Sequence, residues 1–156
     1  MKAKIKHYIK EFILFVIFIT IVTNVISLYK SQSLTKEPLQ LNYKFPHADK
    51  PILVHFWATW CPVCKVEAPN IQTLSKYYNV VTIAVKSDKN NIKNYMKKNN
   101  LNFKVINDSD GFIAEQFHIN VYPSTFIYNK DRKLIFSEVG YTSTFGMWVR
   151  LLYSEF

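Results

Sequence analysis

The apolar run PILVHFW, residues 51–57, leads directly into ATWCPVCKVEAP, and this junction constrains the fold more than any other part of the chain. A continuous apolar run of that length reads as a strand buried on both faces. Helical spacing takes over at the cysteines: Cys64, Ala68, Ile71 and Tyr78 fall at i, i+4, i+7 and i+14 and share one face. Pro62 suits a first helical turn, where its missing N–H costs nothing. Pro69 sits deeper and is expected to kink the helix. A buried strand turning sharply into a helix is the repeating unit of an α/β sheet.

The downstream pattern continues the unit. VVTIAV (80–85) is a second buried strand, and KNNIKNYMKKNN (89–100) carries Ile92, Tyr95 and Met96 at helical spacing. FKVIND reads as a short strand, GFIAEQFHI as a short helix, and VYPSTFIY as a strand beginning after Pro123. NKDR is a hairpin turn, KLIFSEV its partner strand, ended by Gly140, and STFGMWVRLLYSEF a closing amphipathic helix with Trp148, Leu151 and Leu152 inward. The order β-α-β-α-β-α-β-β-α predicts a mostly parallel sheet covered on both faces, with the terminal hairpin as an antiparallel edge. LQLNYKF (39–45) alternates and suggests a further edge strand.

The other constraint lies at the start. Lys2, Lys4, Lys6 and Lys10 precede an uncharged run, FILFVIFITIVTNVISL, over residues 12–28. Its 17 residues at about 1.5 Å each come near the minimum for crossing a bilayer core. A core helix of a globular domain would show a polar face, and the first turns of this run show none. No A-x-A-like site follows, which favours a retained anchor over a cleaved signal. The lysine excess puts the N-terminus in the cytoplasm and the rest outside. The expected organisation is a basic cytoplasmic segment (1–11), a transmembrane anchor (12–28), a polar tether (29–38) and one domain (39–156). That places a single-pass protein in the cytoplasmic membrane, its C-terminal domain facing the periplasm or extracytoplasmic side.

Hydrophobic residues at 49%, aromatics at 16% and charged residues at 20% suffice for a packed core and argue against disorder. The net charge of +9 owes part of its size to the N-terminal lysines. No Arg-rich or aromatic-interleaved patch points to nucleic acid.

The chain has two cysteines, Cys61 and Cys64, in one C-x-x-C. At a helix start the dipole and free N–H groups favour thiolate on Cys61, and Cys64 lies one turn on, close enough for a disulfide. Outside the cytoplasm such a pair must have a managed redox state. Two other readings stay open. A metal site wants more ligands than one C-x-x-C supplies, with His47, His55 and His118 as the available imidazoles, and a copper-binding redox module is the form it would take. A purely structural disulfide would close a very small loop and constrain little.

FWATWCPVCKVEAP resembles the active-site segment of the thioredoxin superfamily, including the lysine after the second cysteine and the kinking proline five residues beyond it. Glu67, three residues past Cys64, is similar to a feature of the membrane-anchored TlpA/ResA-like branch, which includes the cytochrome c maturation thioredoxins. The strand–helix unit within residues 80–107 resembles that branch's central insertion. The W-C-P-V-C motif and the closing segment look most like the suppressor-of-copper-sensitivity D (ScsD) type. The resemblance implies a thioredoxin fold, a mixed sheet flanked by helices with a central strand–helix insertion, after one N-terminal transmembrane helix.

It also implies roles. Cys61 and Cys64 become the redox disulfide of a protein-disulfide oxidoreductase that needs no cofactor. Pro123 matches the superfamily's cis-proline, exposing the Tyr122 backbone to an extended substrate; Trp60 resembles its exposed site tryptophan, and Pro62 and Val63 lie between the cysteines on the same surface. Glu67 is either a buried carboxylate that raises the thiol pKa values and shuttles a proton, or a solvated first-turn acid. His55 stands where the superfamily commonly has Asp or Asn; it is a proton acceptor for the second cysteine or a neutral core histidine. Pro-Val between the cysteines supplies no charge to stabilise thiolate, so the couple leans towards reductant. The implied partners are exported thiol or disulfide proteins, apocytochrome c among them, and a membrane electron donor of the DsbD/CcdA kind. The opposite direction, disulfide oxidant or isomerase, is the alternative.

Overall fold

The computed structural model describes residues 2–31, Leu34, Tyr43 and 45–156. Helix α1 (Lys2–Ser31) precedes the domain. There follow β1 (Ile52–Trp57), α2 (Pro62–Leu74), β2 (Asn79–Val85), α3 (Lys89–Lys98), β3 (Lys104–Asp108), α4 (Phe112–Gln116), β4 (Ser124–Tyr128), β5 (Leu134–Val139) and α5 (Thr144–Tyr153). From β1 onwards the element order is the one the periodicity predicts. Of the suggested strand over 39–45, Tyr43 and Phe45 are described, outside any strand and packed edge to face, while Leu39 and Leu41 lie outside the described residues.

The five strands are ordered β3-β2-β1-β4-β5. β1–β2 and β2–β3 pair in parallel, β1–β4 and β4–β5 antiparallel. The sheet is therefore evenly mixed rather than mostly parallel. The chain leaves β3 at one edge, passes through α4, and returns as β4 beside β1 in the opposite sense, so antiparallel pairing reaches the centre.

Burial follows the period-two alternation of the strands. Ile52, Val54 and Phe56 join Phe117, Ile119 and Phe126 beneath α4, while Leu53 and Trp57 join Ile71, Ile92, Ile127, Met147 and Leu151 beneath α2, α3 and α5. His55 falls by the same alternation on the α2 face. In α5 the residues that enter the core are Met147 and Leu151, one helical turn apart; Trp148 and Leu152, expected inward, are 43% and 39% exposed. The helix is apolar on both sides, so hydrophobicity alone did not identify the packed one. α2 ends at Leu74 with Ser75 as its cap, earlier than the face running to Tyr78 implied, and Tyr78 reaches the core from the turn beyond.

The expected anchor, residues 12–28, lies within α1, and Phe12, Ile13, Leu14, Phe15 and Phe18 all face solvent. Among the described residues no helix is long and apolar enough to cross a membrane; the side chains of Thr20, Thr23, Asn24, Ser27 and Leu28, inside that run, are outside the described set.

Candidate active site

β1 ends at Trp57, and the chain turns through Ala58–Trp60, where the Cys61 amide donates to the Ala58 carbonyl. Cys61 is the N-cap of α2, its backbone extended, and Pro62 opens the helix. In place of the usual oxygen, the cap acceptor is sulfur: the Cys64 N–H points at Cys61 Sγ, 3.1 Å away. An amide and the positive end of the helix are thus both aimed at the atom that would carry thiolate charge. Cys61 and Cys64 are disulfide-bonded, with Cα atoms 5.3 Å apart. Both sulfur-bearing residues are buried, Cys64 more completely.

Around the disulfide stand the surface residues named from sequence. Pro62 and Val63 are exposed between the cysteines. Trp60 is 57% exposed, its indole N–H donating to the Lys86 carbonyl and its ring edge-on to Tyr122. The Tyr122–Pro123 peptide bond is cis. The Tyr122 carbonyl lies 3.8 Å from Cys61 Sγ, and Pro123 is buried beneath it with its own carbonyl accepting from the Gly140 amide. Trp57, by contrast, is a core residue: its N–H donates to Thr82 Oγ1 and its ring packs on Tyr95 and Phe103.

Behind the disulfide lies a buried acid. Glu67 follows Cys64 by one helical turn on the same face of α2 and is fully buried. Its Oε1 accepts from the Thr142 amide at 2.7 Å, and Oε2, which has no hydrogen-bond partner among the described residues, faces His55 Nε2 at 3.9 Å. Burial, countered in part by the Thr142 amide and reinforced by the nearby Glu138 charge, pushes the Glu67 carboxyl up to about 8. Burial alone pulls the His55 imidazole down to about 3. At neutral pH the pair is therefore a carboxylic acid beside a neutral imidazole, not an ion pair.

Three residues of this centre carried no signal that sequence reading used. His55 Nδ1 lies 3.0 Å from Thr125 Oγ1 on β4. In register, Thr82, His55, Thr125 and Glu138 sit opposite one another across β2, β1, β4 and β5. They form a polar row across the sheet, all four on the face under α2. Glu138 Oε2 accepts from Thr142 Oγ1 at 2.8 Å and Glu138 Oε1 pairs with Arg150. Each of the four is one polar side chain within its strand, and only the register between strands sets them in a row. His47 and His118 are exposed, and among the described residues no three His, Cys, Asp or Glu side chains are gathered as a metal would need.

Comparison with known proteins agrees with this geometry. The AhpC/TSA family matches residues 29–137. A thioredoxin-like protein of Haemophilus influenzae is 38% identical over 110 residues, covering 69% of this chain and 65% of that one. The thiol-disulfide oxidoreductase ResA of Bacillus subtilis is 30% identical over 91 residues, 55% of this chain and 51% of its own. The chain thus spans less than two thirds of the length of either relative. The crystal structure of a secreted Mycobacterium tuberculosis disulfide oxidoreductase, homologous to DsbE of E. coli, superposes with a TM-score of 0.59 at 28% identity, covering 67% of this chain and 82% of that one. Sheet order, cysteine pair and family match converge: the chain belongs to the AhpC/TSA family, among the TlpA/ResA-like members of the thioredoxin superfamily.

Proposed function

We propose that this protein is a membrane-anchored thiol-disulfide oxidoreductase that reduces disulfides of exported proteins outside the cytoplasm. The observation that carries the reading is the Cys61–Cys64 disulfide at the start of α2, with the Tyr122 carbonyl beside Cys61 Sγ. The names of the ResA and M. tuberculosis relatives describe the same chemistry.

In the cycle, Cys61 thiolate attacks one sulfur of a target disulfide, and the other target sulfur leaves as thiolate. Cys64 then attacks Cys61 Sγ; its thiol proton passes to the Glu67 carboxylate, and the electrons of the broken mixed disulfide leave on the target. Two electrons have moved from the protein to the target, and the protein holds the Cys61–Cys64 bond and a protonated Glu67. Burial supports that end state, since an acid with a pKa of about 8 keeps its proton at neutral pH, and the ionised fraction, about a tenth at pH 7, is the form that accepts the Cys64 proton. A donor dithiol reverses the steps, and Glu67 returns its proton to the departing Cys64. His55, held neutral by burial, orients and desolvates the carboxyl rather than taking up charge. Trp60, Pro62, Val63 and the Tyr122 backbone line the surface on which an extended target segment would lie.

The anchor is the run at 12–28, in which Phe12, Ile13, Leu14, Phe15 and Phe18 face outwards. A bilayer is the environment that relieves such exposure. The membrane donor of the DsbD/CcdA kind, apocytochrome c as a target, and the likeness to the ScsD type rest on the active-site motif and the closing segment.

Rapid acid quench and alkylation of thiols in intact cells tests the direction. A mostly reduced Cys61–Cys64 pair supports an externally recharged reductant. A mostly oxidised pair makes the protein an oxidant or isomerase and removes the maturation reading.

A further inference from the structure

Glu67 is held from outside α2 by a chain of contacts that ends at the surface. The Thr142 amide donates to Glu67 Oε1 at 2.7 Å, and the Thr142 hydroxyl donates to Glu138 Oε2 at 2.8 Å. Glu138 Oε1 pairs with the Arg150 guanidinium on α5. Arg150 is fixed in turn by a 2.9 Å bond from Nη1 to the Gly146 carbonyl. Gly146 leaves room for this approach: a Cβ there would lie 3.1 Å from Arg150 Nη1 and 3.2 Å from the Thr142 methyl. The ion pair is mostly shielded, with side-chain exposures of 26% for Arg150 and 16% for Glu138. Charges so placed act on a buried neighbour through a medium less polarisable than water.

We propose that Glu138 and Arg150 are positioning residues that, through Thr142, fix the Glu67 carboxyl and set how firmly it holds the proton released by Cys64. The two charges act on Glu67 with opposite sign. The Glu138 carboxylate favours the protonated acid, and the Arg150 guanidinium favours its ionisation. Burial leads in raising the acid's proton affinity, the Glu138 charge adds to it, and the paired guanidinium offsets part of that charge. Among the described residues, the titratable and charged groups around Glu67 are the cysteines of its own helix start, neutral His55 from β1, Glu138 from β5, and Arg150 from α5, with the Thr142 amide from the junction. None of them but the cysteines reacts with a target. The purpose assigned to this device rests on the exchange cycle above, whereas its measurement does not.

The test is a titration of the Glu67 carboxyl in the oxidised full-length chain, followed by the infrared C=O stretch of the protonated acid and assigned by its loss in Glu67→Gln. Glu138→Gln keeps the acceptor for Thr142 but removes the negative charge, and is expected to lower the titration midpoint. Arg150→Gln unmasks Glu138 and is expected to raise it. Each shift should be about one pH unit, the effect of a unit charge about 10 Å away at an effective dielectric constant near 20. The double variant should return close to the wild-type midpoint, a cancellation that loosened packing would not produce. Unmoved midpoints, or shifts of the same sign in both single variants, would overturn the proposal. Turnover of a disulfide-bonded peptide by the same preparations separates the two readings. An inactive wild type with opposed shifts sinks the exchange function alone, and an active one without them sinks the tuning pair alone.

Discussion

The backbone N–H of Thr142 and the carboxylate oxygen Oε1 of Glu67 meet at 2.7 Å across 75 residues of sequence. This bond ties the β5–α5 junction to the helix that carries the cysteines. It satisfies one oxygen of a fully buried acid and leaves the other, Oε2, facing His55. In the proposed cycle, the proton that the acid holds is the one released by Cys64 when Cys61 and Cys64 are joined.

Replacing Glu67 with Gln keeps the volume and the acceptor for Thr142 but removes the proton acceptor. The first step, attack by Cys61, should be unchanged. Resolution of the mixed disulfide by Cys64 should slow about a hundredfold, the usual size of a lost general base. Quenched-flow measurement of the two steps separates them; equal resolution rates in variant and wild type would remove Glu67 from the cycle.

The stability of the oxidised chain should depend on pH through these same two residues. His55 has a folded pKa of about 3 against 6.5, so the unfolded chain binds the extra proton between those values and stability rises with pH there. Glu67 has a folded pKa of about 8 against 4.5, so the folded chain binds the extra proton and stability falls as pH rises through that window. Each slope is about 1.4 kcal/mol per pH unit at most. The two contributions oppose each other between 4.5 and 6.5. Urea unfolding should therefore show stability climbing towards pH 4.5, levelling, then declining from pH 6.5 to 8. Glu67→Gln should flatten the alkaline decline and leave the acid limb; retention of that decline would contradict the assignment.

The two tryptophans that bracket the corner should separate stability from binding. Trp57→Ala removes a buried ring packed on Tyr95 and Phe103 together with its indole bond to Thr82, costing about 3–5 kcal/mol. Trp60→Ala, at an exposed position, should cost less than about 1 kcal/mol yet raise KM for a disulfide peptide several-fold with kcat little changed. Denaturation and peptide kinetics on both variants check this. A Trp60 variant with unchanged KM would take that ring off the target surface.

Asp108 should prove structural. Its two carboxylate oxygens cap α4 by accepting from the Ile113 and Ala114 amides at 3.0 and 2.9 Å. Gly111, at the cap position with φ +84°, has no side chain to do so. Asp108→Ala should cost about 2 kcal/mol in urea unfolding and leave peptide turnover per folded molecule unchanged.

Much of the architecture was legible because strand burial here is nearly continuous. The runs at Ile52–Trp57 and Asn79–Val85 are buried at every position, and helical spacing begins at once after the cysteines. The cis bond before Pro123 came from resemblance, since a proline's isomer leaves no trace in periodicity. Two features were not legible. α5 is apolar all round, so only packing could choose Met147 and Leu151 over Trp148 and Leu152. Glu138 reads as an ordinary strand polar residue until β4 is placed beside β1, which puts it in one row with His55 and Thr125. Such a row is a property of register between distant segments, not of any one of them.

Capture of the mixed disulfide tests attack by Cys61 without intermediaries. With two cysteines in the chain, Cys64→Ser leaves Cys61 as the only thiol and Cys61→Ser leaves Cys64, which is 1% exposed in the disulfide form. Each full-length variant would be mixed with a disulfide-bonded peptide and its adduct measured by intact mass. A rapid, stable Cys61–peptide adduct is expected in Cys64→Ser and little or none in Cys61→Ser. No adduct in the first variant, or equal adducts in both, would contradict attack by a Cys61 thiolate at the start of α2.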